Sequence, residues 1–263
     1  MKKYLVVGNP INHSLSPKLH NFWIKQNRID AIYDKAKLNL DQLENLISQG
    51  KSKRINGINV TVPFKNTVIP YVDQLSTEAE KTKSVNTIYL NNDKVIGHNT
   101  DIDGFEKAIN KINFKVSDKR IFILGAGGVV PSIIYALNKM GAFNIFISNR
   151  TKAKAQMVKD IFNNLSVLDW GDVPEFDVII NATSLGLNKD DNIELDLSST
   201  GKNKLFYDVI YNPNETNFLK NGKELGNKCE NGKFMFIYQA FSAFKLWHNI
   251  EPTINSETIK LLE

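Results

Sequence analysis

The stretch RIFILGAGGVV, residues 120–130, indicates the fold class of the chain. Arg120 to Leu124 is an apolar run typical of a buried strand, the glycines predict a tight turn, and Pro131 to Met140 predicts a helix. Asn144 to Ser148 then predicts the next strand and Thr151 to Phe162 the next helix. This alternation is typical of a doubly wound parallel sheet, so we predict an α/β protein with a Rossmann-type domain.

Two glycines of the turn have separate tasks in a dinucleotide-binding fingerprint. Gly125 permits the tight turn, and Gly127 lets the backbone approach a pyrophosphate, while the following helix offers free N–H groups. Val130 occupies the third glycine position of GxGxxG, so the match is incomplete. A glycine turn that binds no nucleotide is therefore kept as an alternative.

The residues after the next strand favour NADP over NAD. NAD-binding folds usually carry an acidic residue about 20 residues further on, where it holds the ribose 2′-OH. Here Asn149, Arg150 and Thr151 follow the strand instead, with Lys154 close behind. Arg150 can pair bidentately with a 2′-phosphate, and its neighbours can add donors. The alternative is a solvated arginine at the start of a helix.

Strands and helices alternate almost throughout the rest of the chain. We predict further strands at Tyr4–Val7, Ile32–Ala36, Gly57–Val62, Ser84–Leu90, Lys94–Gly97, Phe176–Asn181 and Lys204–Val209. We predict further helices with Ser16 as N-cap, over Leu40–Gln49 ending at Gly50, with a Thr77–Glu80 capping box, over Phe234–Trp247, and after Pro252. Thr183 lies in NATSLG, directly after a buried strand, where ligands bind in this fold. A polar loop with a helix cap is the alternative there.

Composition narrows the classes of protein. The chain has 263 residues, 42% hydrophobic and 23% charged, which is ordinary for one large globular domain or two smaller ones. The net charge of +5 could suit an anionic partner, but the lysines are scattered and form no basic stripe. No stretch approaches the ~20 apolar residues of a membrane span. The single cysteine, Cys229, cannot form an internal disulfide, which fits a reducing cytoplasm.

Four clusters of polar side chains lie at predicted strand ends in the first half of the chain. They are Ser14 and Ser16 in GNPINHSLSP, Thr61 and Lys65 in NVTVPFK, Asn86 in SVNT, and Asp101 in NTD. Each has a structural explanation of its own, such as a helix cap, a strand residue or a solvated lysine. Together they suit a small polyhydroxylated acid, and a lysine near a carboxylate can transfer protons beside a hydride acceptor.

The histidines give no sign of a metal site. His13, His20, His98 and His248 lack the spacing of metal ligands, so we predict no metal. No serine–histidine–acid arrangement is evident either. The chemistry is therefore expected to depend on the lysine, the carboxylate and a bound nucleotide.

The N-terminal motifs, together with GAGG, NRT, NATSLG, YDVIYNP and the tail NGK…YQA…LWH, resemble the shikimate dehydrogenase family. The resemblance covers nearly the whole chain, in order. It implies reversible, NADPH-dependent reduction of 3-dehydroshikimate to shikimate, in the chorismate pathway to aromatic amino acids. It also implies a substrate domain over residues 1–101, an NADP-binding Rossmann domain over 102–232, and C-terminal helices over 233–263 that return to the first domain.

The same resemblance assigns roles to individual residues. Lys65 and Asp101 would be the catalytic pair, with Lys65 as the proton donor in reduction. Ser14 and Ser16 would hold the substrate carboxylate. The other substrate contacts would come from Thr61, Asn86, Asp101, Tyr211 and Gln239. The NADP(H) contacts would come from Gly125, Ala126, Gly127, Gly128, Val129, Asn149, Arg150, Thr151, Lys154, Thr183, Val209 and Gly232.

Two positions depart from the family pattern. Val129-Val130 is bulkier than the small pair that often follows GAGG, which could alter helix packing or nicotinamide entry. Phe234 stands where many relatives have a small residue, which could crowd the cleft. Neither departure touches Lys65 or Asp101.

Two other functions stay open. One is a quinate/shikimate dehydrogenase relative with broader substrate or NAD use. The other is a non-catalytic regulator that senses a nucleotide or binds nucleic acid, which the pI of about 9.0 suggests. We expect a small-molecule substrate, no nucleic-acid or membrane partner, and a homodimer.

Overall fold

The chain forms two compact units. The computed structural model describes residues 1–52 and 54–262. Unit 1 comprises Met1–Gly104 together with the segment from Ile237 onward, and unit 2 comprises Phe105–Phe236. The predicted domain limits at residues 101 and 232 lie a few residues earlier in the chain and stay predictions.

Unit 1 contains a mixed six-stranded sheet. Its elements are β1 (Lys2–Gly8), α1 (Ser16–Gln26), β2 (Ala31–Lys37), α2 (Leu43–Lys51), β3 (Gly57–Val60), β4 (Gln74–Leu75), α3 (Thr77–Thr82), β5 (Thr87–Asn91) and β6 (Lys94–His98). The strand order is β2-β1-β3-β5-β6-β4. β1 runs parallel to β2 and β3, whereas β5 is antiparallel to β3 and β6.

The pairing of β1 with β3 positions the polar loops of unit 1. Val7 of β1 pairs with Val60 of β3, so the chain leaves both strands at the same edge of the sheet. The segments that carry Ser14, Thr61 and Lys65 therefore begin at one edge.

The predicted hairpin between β5 and β6 is present, with positive φ at Asn92 and Asp93, as a two-residue turn of type I′ requires.

Unit 2 is an all-parallel sheet with helices between its strands. The chain enters it through α4 (Asp101–Lys111) and continues through β7 (Arg120–Leu124), α5 (Val130–Lys139), β8 (Asn144–Ser148), α6 (Lys152–Lys159), β9 (Leu165–Leu168), β10 (Val178–Asn181), β11 (Leu205–Asp208), α7 (Asn217–Glu224) and β12 (Lys228–Glu230). After β12 the chain forms α8 (Lys233–His248), which begins in unit 2 and continues in unit 1, and then α9 (Ser256–Lys260) in unit 1.

The strand order of unit 2 is that of a doubly wound nucleotide-binding fold. The order is β12-β11-β10-β7-β8-β9, with every neighbouring pair parallel. The chain reverses direction across the sheet between β7 and β10, and ligands of this fold bind at such a switch point. GAGG follows β7 and NATSLG follows β10, so the fold places both predicted ligand loops there. The predicted α/β class with a Rossmann-type sheet is confirmed.

Aromatic packing ties the C-terminal segment to the first strands of unit 1. Trp23 of α1 donates its indole N–H to the carbonyl of Thr253 at 3.1 Å, and Trp247 of α8 donates to the carbonyl of Ile88 at 3.0 Å. His20 stacks on Tyr33 with ring centroids 4.2 Å apart and planes 3° from parallel. This burial explains why the sequence of α8 is so apolar.

Three predicted helix boundaries are wrong. Ser16 is not the N-cap of α1, because Leu15 occupies that position without a side-chain hydrogen bond. The cap of α3 is Ser76, whose Oγ accepts from the N–H of Ala79 at 3.2 Å, rather than a box formed by Thr77 and Glu80. Gly50 does not end the second helix but lies inside α2, which a short 3₁₀ turn over Leu40–Gln42 precedes.

Several short elements differ from the sequence prediction. The strand expected to reach Val62 ends at Val60, before the proline. β4, β9, β12 and α7 were not predicted. β4 and β12 are only two or three residues long, β9 has four residues, and α7 is mostly polar. Within the described residues, no helix combines the length and apolar character needed to cross a membrane.

Candidate active site

Lys65 and Asp101 form a buried ion pair in unit 1. The Lys65 Nζ and Asp101 Oδ2 atoms are 2.6 Å apart, and the two side chains are only 10% and 9% exposed. Lys65 follows the turn after β3, and Asp101 is the first residue of α4. Water screens such a pair weakly, and each charge needs the other to offset its loss of hydration. An ammonium group held against a carboxylate can give a proton to a ligand and take it back.

Asn86 holds the second oxygen of the Asp101 carboxylate. Its Nδ2 donates to Asp101 Oδ1 at 2.8 Å, while its Oδ1 accepts from the backbone N–H of Thr100 at 2.7 Å. One carboxylate oxygen therefore faces the ammonium and the other faces an amide. This arrangement fixes the plane of the carboxylate, so the structure brings three of the predicted site residues together.

The two serines predicted to bind a carboxylate lie beside each other. The backbone N–H of Ser16 donates to Ser14 Oγ at 3.3 Å, and Ser16 is buried whereas Ser14 is half-buried. Thr61 follows β3, and its methyl group lies so close to Gly8 that a Cβ at Gly8 would be 2.5 Å from it. Glycine at position 8 thus lets the segment after β1 pass next to Thr61.

Gln239 lies on α8 in the part of that helix that belongs to unit 1. One turn further along, Ser242 donates its hydroxyl to Asp103 Oδ2 of α4 at 3.0 Å. This bond fixes α8 against the helix that begins with Asp101. Gln239 is therefore carried by a helix docked beside the ion pair.

The glycine turn of unit 2 fits a pyrophosphate. Gly125 has φ +105°, and a Cβ there would lie 2.7 Å from the carbonyl oxygen of Ala182, so only glycine is unstrained. A Cβ at Gly127 would meet nothing closer than 3.9 Å, which leaves this side of the turn open. No side chain caps α5, whose N-cap is Val129. An uncapped helix N-terminus beside a glycine turn is suited to bind phosphate oxygens.

The segment after β8 offers cations at the surface. Arg150 and Lys154 are exposed, and neither forms an ion pair with a described residue. Their neighbour Lys152 differs, because its Nζ is 2.7 Å from Asp169 Oδ1. Asn149 donates to the carbonyl of Thr151 at 2.8 Å and shapes the turn. These donors fit the 2′-phosphate of NADP, whereas no acidic residue stands at positions 149–151 to hold a 2′-OH.

Four further predicted contacts follow strands β10, β11 and β12: Thr183, Val209, Tyr211 and Gly232. The Thr183 methyl group lies beside the turn, 3.1 Å from where a Cβ of Gly125 would be. Gly232 packs on the backbone of Val209, donates its N–H to Ile210 O at 3.0 Å, and leaves no space for a Cβ. Tyr211 stacks on Phe236 with centroids 4.5 Å apart. Its predicted substrate contact, and the other assigned roles, stay predictions.

The two departures from the family pattern are accommodated within unit 2. Val130 is fully buried as the first residue of α5, and Val129 is half-buried. The ring of Phe234 is covered by the Lys111 ammonium, 4.5 Å from the ring centroid. Their effects on nicotinamide entry and on the cleft stay predictions.

Sequence reasoning missed Asp208, a fully buried carboxylate at the end of β11. It accepts hydrogen bonds from Asn181 Nδ2 at 3.1 Å, from Thr216 Oγ1 at 2.6 Å and from the N–H of Ile210 at 2.9 Å. Burial raises its pKa to about 6, and these donors oppose the rise. The network joins the NATSLG loop to the YDVIYNP loop. The sequence signal was an acidic residue ending an apolar run.

The prediction that the protein has no metal site stays a prediction. Among residues 1–52 and 54–262, no group of three His, Cys, Asp or Glu side chains could hold a metal ion.

Comparison with known proteins assigns both halves of the chain to one family. A family model described as "Shikimate dehydrogenase substrate binding domain" matches residues 6–88. A second, described as "Shikimate / quinate 5-dehydrogenase", matches residues 106–214.

Whole-chain relatives agree with these matches. A shikimate dehydrogenase (NADP(+)) from Pelagibacter ubique is 53% identical over 262 residues, which span 100% of this chain and 99% of the relative. The crystal structure of shikimate dehydrogenase from Aquifex aeolicus is 36% identical, with a TM-score of 0.90 over 100% of this chain and 97% of that one. The Thermus thermophilus shikimate 5-dehydrogenase, solved in complex with NADP(H) and shikimate, is 27% identical, with a TM-score of 0.90 and coverage of 100% and 98%.

Proposed function

Because the chain belongs to the shikimate dehydrogenase family, we propose that it catalyses the reversible, NADPH-dependent reduction of 3-dehydroshikimate to shikimate. The observation that carries the proposal is the buried ion pair of Lys65 and Asp101, 2.6 Å apart, at the polar edge of the unit 1 sheet. A regulator that only senses a nucleotide has no need of such a pair. The ion pair and the family membership both favour an enzyme over a non-catalytic regulator.

Lys65 acts as the proton donor in the direction of reduction. Its ammonium gives a proton to the substrate carbonyl oxygen while the carbonyl carbon accepts a hydride. Bound NADPH supplies that hydride. In the reverse direction Lys65 takes the proton from the substrate hydroxyl. Asp101 keeps the ammonium in place and stabilises its charge, and general acid catalysis of this kind contributes about 10²–10⁴-fold.

The remaining polar residues of unit 1 orient the substrate. Ser14 and Ser16, which lie side by side, bind its carboxylate through their hydroxyl groups. The ring hydroxyls or the carboxylate are bound by Thr61, Asn86, Asp101, Tyr211 and Gln239. A ring with hydroxyl groups and one carboxylate matches this set of donors and acceptors.

Unit 2 binds NADP(H) in preference to NAD(H). Residues 125–129 receive the pyrophosphate at the N-terminus of α5, Val209 and Gly232 line the nicotinamide side, and Thr183 is a further cofactor contact. Arg150 pairs with the 2′-phosphate, with Asn149, Thr151 and Lys154 as further donors. The absence of an ion-pair partner for Arg150 among the described residues leaves its guanidinium available.

We also propose a cytoplasmic location and a homodimer. The single cysteine, Cys229, lies half-buried in β12 and cannot form an internal disulfide. Proteins without disulfides are common in a reducing compartment. Sedimentation velocity tests the oligomeric state. A species with the mass of one chain, 29.8 kDa, across a range of concentrations would contradict the homodimer.

The reaction can be tested by nicotinamide absorbance with the purified chain. Shikimate is supplied with NADP⁺ and with NAD⁺ in parallel, and quinate serves as a second substrate. We expect shikimate-dependent reduction of NADP⁺ to be far faster than that of NAD⁺. Equal use of both cofactors, or of quinate, would place the protein in the broader quinate/shikimate branch. A folded sample that turns over none of these pairs would refute the proposed function.

A further inference from the structure

A chain of buried hydrogen bonds crosses the sheet of unit 1 and ends on the Asp101 carboxylate. The Tyr33 hydroxyl of β2 donates to Asn59 Oδ1 of β3 at 2.7 Å, and Asn59 Nδ2 donates to Thr87 Oγ1 of β5 at 3.0 Å. Thr87 Oγ1 then donates to Asn86 Oδ1 at 3.0 Å, and Asn86 Nδ2 donates to Asp101 Oδ1 at 2.8 Å. Every link points towards the carboxylate.

Two backbone groups fix the direction of this chain. The N–H of Thr100 can only donate, and it lies 2.7 Å from Asn86 Oδ1, so the Nδ2 atom of Asn86 must face Asp101. The carbonyl of Asn86 can only accept, and Asn59 Nδ2 lies 3.2 Å from it. The Oδ1 atom of Asn59 must therefore face Tyr33. Neither amide can turn over without placing two acceptors or two donors against each other.

The Thr87 hydroxyl connects the side-chain amides of Asn59 and Asn86. It accepts from Asn59 Nδ2 and has a single hydrogen to donate, for which Asn86 Oδ1 lies 3.0 Å away. The hydroxyl of Thr100 also lies 3.0 Å from Thr87 Oγ1 and accepts from Asn86 Nδ2 at 3.0 Å, so both partners of the Thr87 hydroxyl on this side belong to or contact the Asn86 amide. Removing the Thr87 hydroxyl would leave one donor of Asn59 unpaired and would withdraw one of the bonds that hold Asn86.

The chain is shielded from water along its length. Thr87 and Thr100 are 0% exposed, Asn59 is 6% exposed and Tyr33 is 2% exposed. Hydrogen bonds in such surroundings are stronger than in water, and an unmade one costs more.

The Tyr33 end of the chain has a constant protonation state. Burial raises the pKa of Tyr33 well above its usual range, although a hydrogen bond from Ser16 opposes this, so its hydroxyl keeps a proton to donate. His20, stacked on Tyr33, has a pKa lowered to about 3 by burial and by His248, and it stays neutral. The chain therefore starts from an uncharged aromatic cluster.

We propose that Thr87, Asn59 and Tyr33 are positioning residues for proton transfer, which act through Asn86 on the orientation of the Asp101 carboxylate. The inference rests on the proposed function, because it assigns Asp101 to the reacting pair. With the Asn86 amide fixed, Asp101 Oδ1 is held by Nδ2 and Oδ2 is left for the Lys65 ammonium. A carboxylate that rotates would meet the ammonium in the productive geometry for a smaller fraction of the time.

The first test compares Thr87→Val with Thr87→Ser. Valine keeps the branched shape of the strand residue and removes the hydroxyl, whereas serine keeps the hydroxyl. We expect Thr87→Val to lower kcat by about 10-fold, with the KM for NADP⁺ unchanged, and Thr87→Ser to restore most of the loss. A purely structural role would lower the melting temperature without this split between kcat and KM. A wild-type kcat in Thr87→Val, or no recovery in Thr87→Ser, would overturn the proposal.

The second test asks whether the residues act in series. Tyr33→Phe removes the first donor and keeps the ring stacked on His20, and Tyr4→Phe is its matched control. Tyr4 pairs with Tyr33 in the strand register and is also buried, but its hydroxyl is not part of the chain of hydrogen bonds. We expect kcat to fall in Tyr33→Phe and not in Tyr4→Phe, a comparison that decides the matter even if Thr87→Val does not fold.

The combination of both changes completes the test. In a serial chain, Tyr33→Phe with Thr87→Val should lose little more kcat than Thr87→Val alone. A loss equal to the product of the two single effects would contradict a serial chain. The wild-type protein is assayed beside every variant. An inactive wild type would refute the proposed function, whereas an active wild type with unaffected variants would refute only the positioning role.

Discussion

In unit 1 the predicted reacting groups are buried side chains, whereas in unit 2 the predicted cofactor contacts come from backbone and from exposed cations. Lys65 and Asp101 are each about nine-tenths buried, and Asn86 holds the free carboxylate oxygen. Around the glycine turn, by contrast, Gly125 is required for its conformation, and Arg150 and Lys154 extend into solvent.

This difference teaches where each unit is sensitive to substitution. A site made of paired side chains depends on single atoms, since removing one partner leaves the other buried without compensation. A site made of backbone depends on the conformation of the chain and tolerates changes in most side chains around it. Three substitutions test this difference between the units, and they follow in order from the largest expected effect to the smallest.

Lys65→Ala should have the largest effect. The variant loses the proton donor and leaves Asp101 unpaired, so kcat should fall by about 10²–10⁴-fold. Steady-state turnover of shikimate with NADP⁺ measures the loss, and circular dichroism checks that the protein is folded. Lys94→Ala, an exposed lysine at the start of β6, is the matched control and should keep full activity. Near-normal turnover in Lys65→Ala would remove the basis for assigning the pair.

Arg150→Ala should have an intermediate effect, confined to one cofactor. A hydrogen-bonded charge pair with the 2′-phosphate is worth about 1.5–3 kcal/mol, which corresponds to a rise of about 10- to 150-fold in the KM for NADPH. The KM for NADH should stay nearly unchanged, because NADH has no 2′-phosphate. Equal effects on the two cofactors would argue against a phosphate clamp and for a general loss of structure.

Gly125→Ala should have the smallest effect, and on stability first. Alanine at φ +105° is strained and its Cβ would lie 2.7 Å from Ala182 O, so the free energy of unfolding should fall by about 1–3 kcal/mol. Gly127→Ala is the matched control, because its Cβ would be 3.9 Å from that same oxygen and its φ is not in the left-handed region. Urea denaturation compares the two. Equal stability would mean that Gly125 is not needed for the conformation of the turn.

The features that sequence reasoning predicted well are local ones. Four apolar residues before GAGG and a helix after it are sufficient to predict β7, the turn and α5, because the glycines and the apolar residues lie within one short segment. The position of Arg150 shortly after β8 is equally readable, and its contact with a 2′-phosphate stays a prediction. Capping residues are less certain, because Ser76 and Thr77 are both good N-caps and only the geometry of the turn selects Ser76.

The features that it missed depend on contacts between distant parts of the chain. Tyr33 and Asn59 are 26 positions apart, and Asn59 and Thr87 are 28 apart. Nothing in the neighbourhood of a strand tyrosine or threonine tells which partner its hydroxyl finds across the sheet. The one local signal is Asn59 itself, an amide within the four-residue buried strand GINV, which had to be satisfied by partners from elsewhere.

The placement of tryptophan gives the protein separate optical reporters for its two units. Trp23 and Trp247 are tied by their indole N–H groups to the carbonyls of Thr253 and Ile88, all within unit 1, whereas Trp170 packs against the core of unit 2. Intrinsic fluorescence therefore mixes the signals of two regions that differ in architecture. Replacing Trp170 with phenylalanine would leave tryptophan emission from unit 1 alone, so that the melting of the unit that carries Lys65 and Asp101 could be followed on its own with excitation selective for tryptophan.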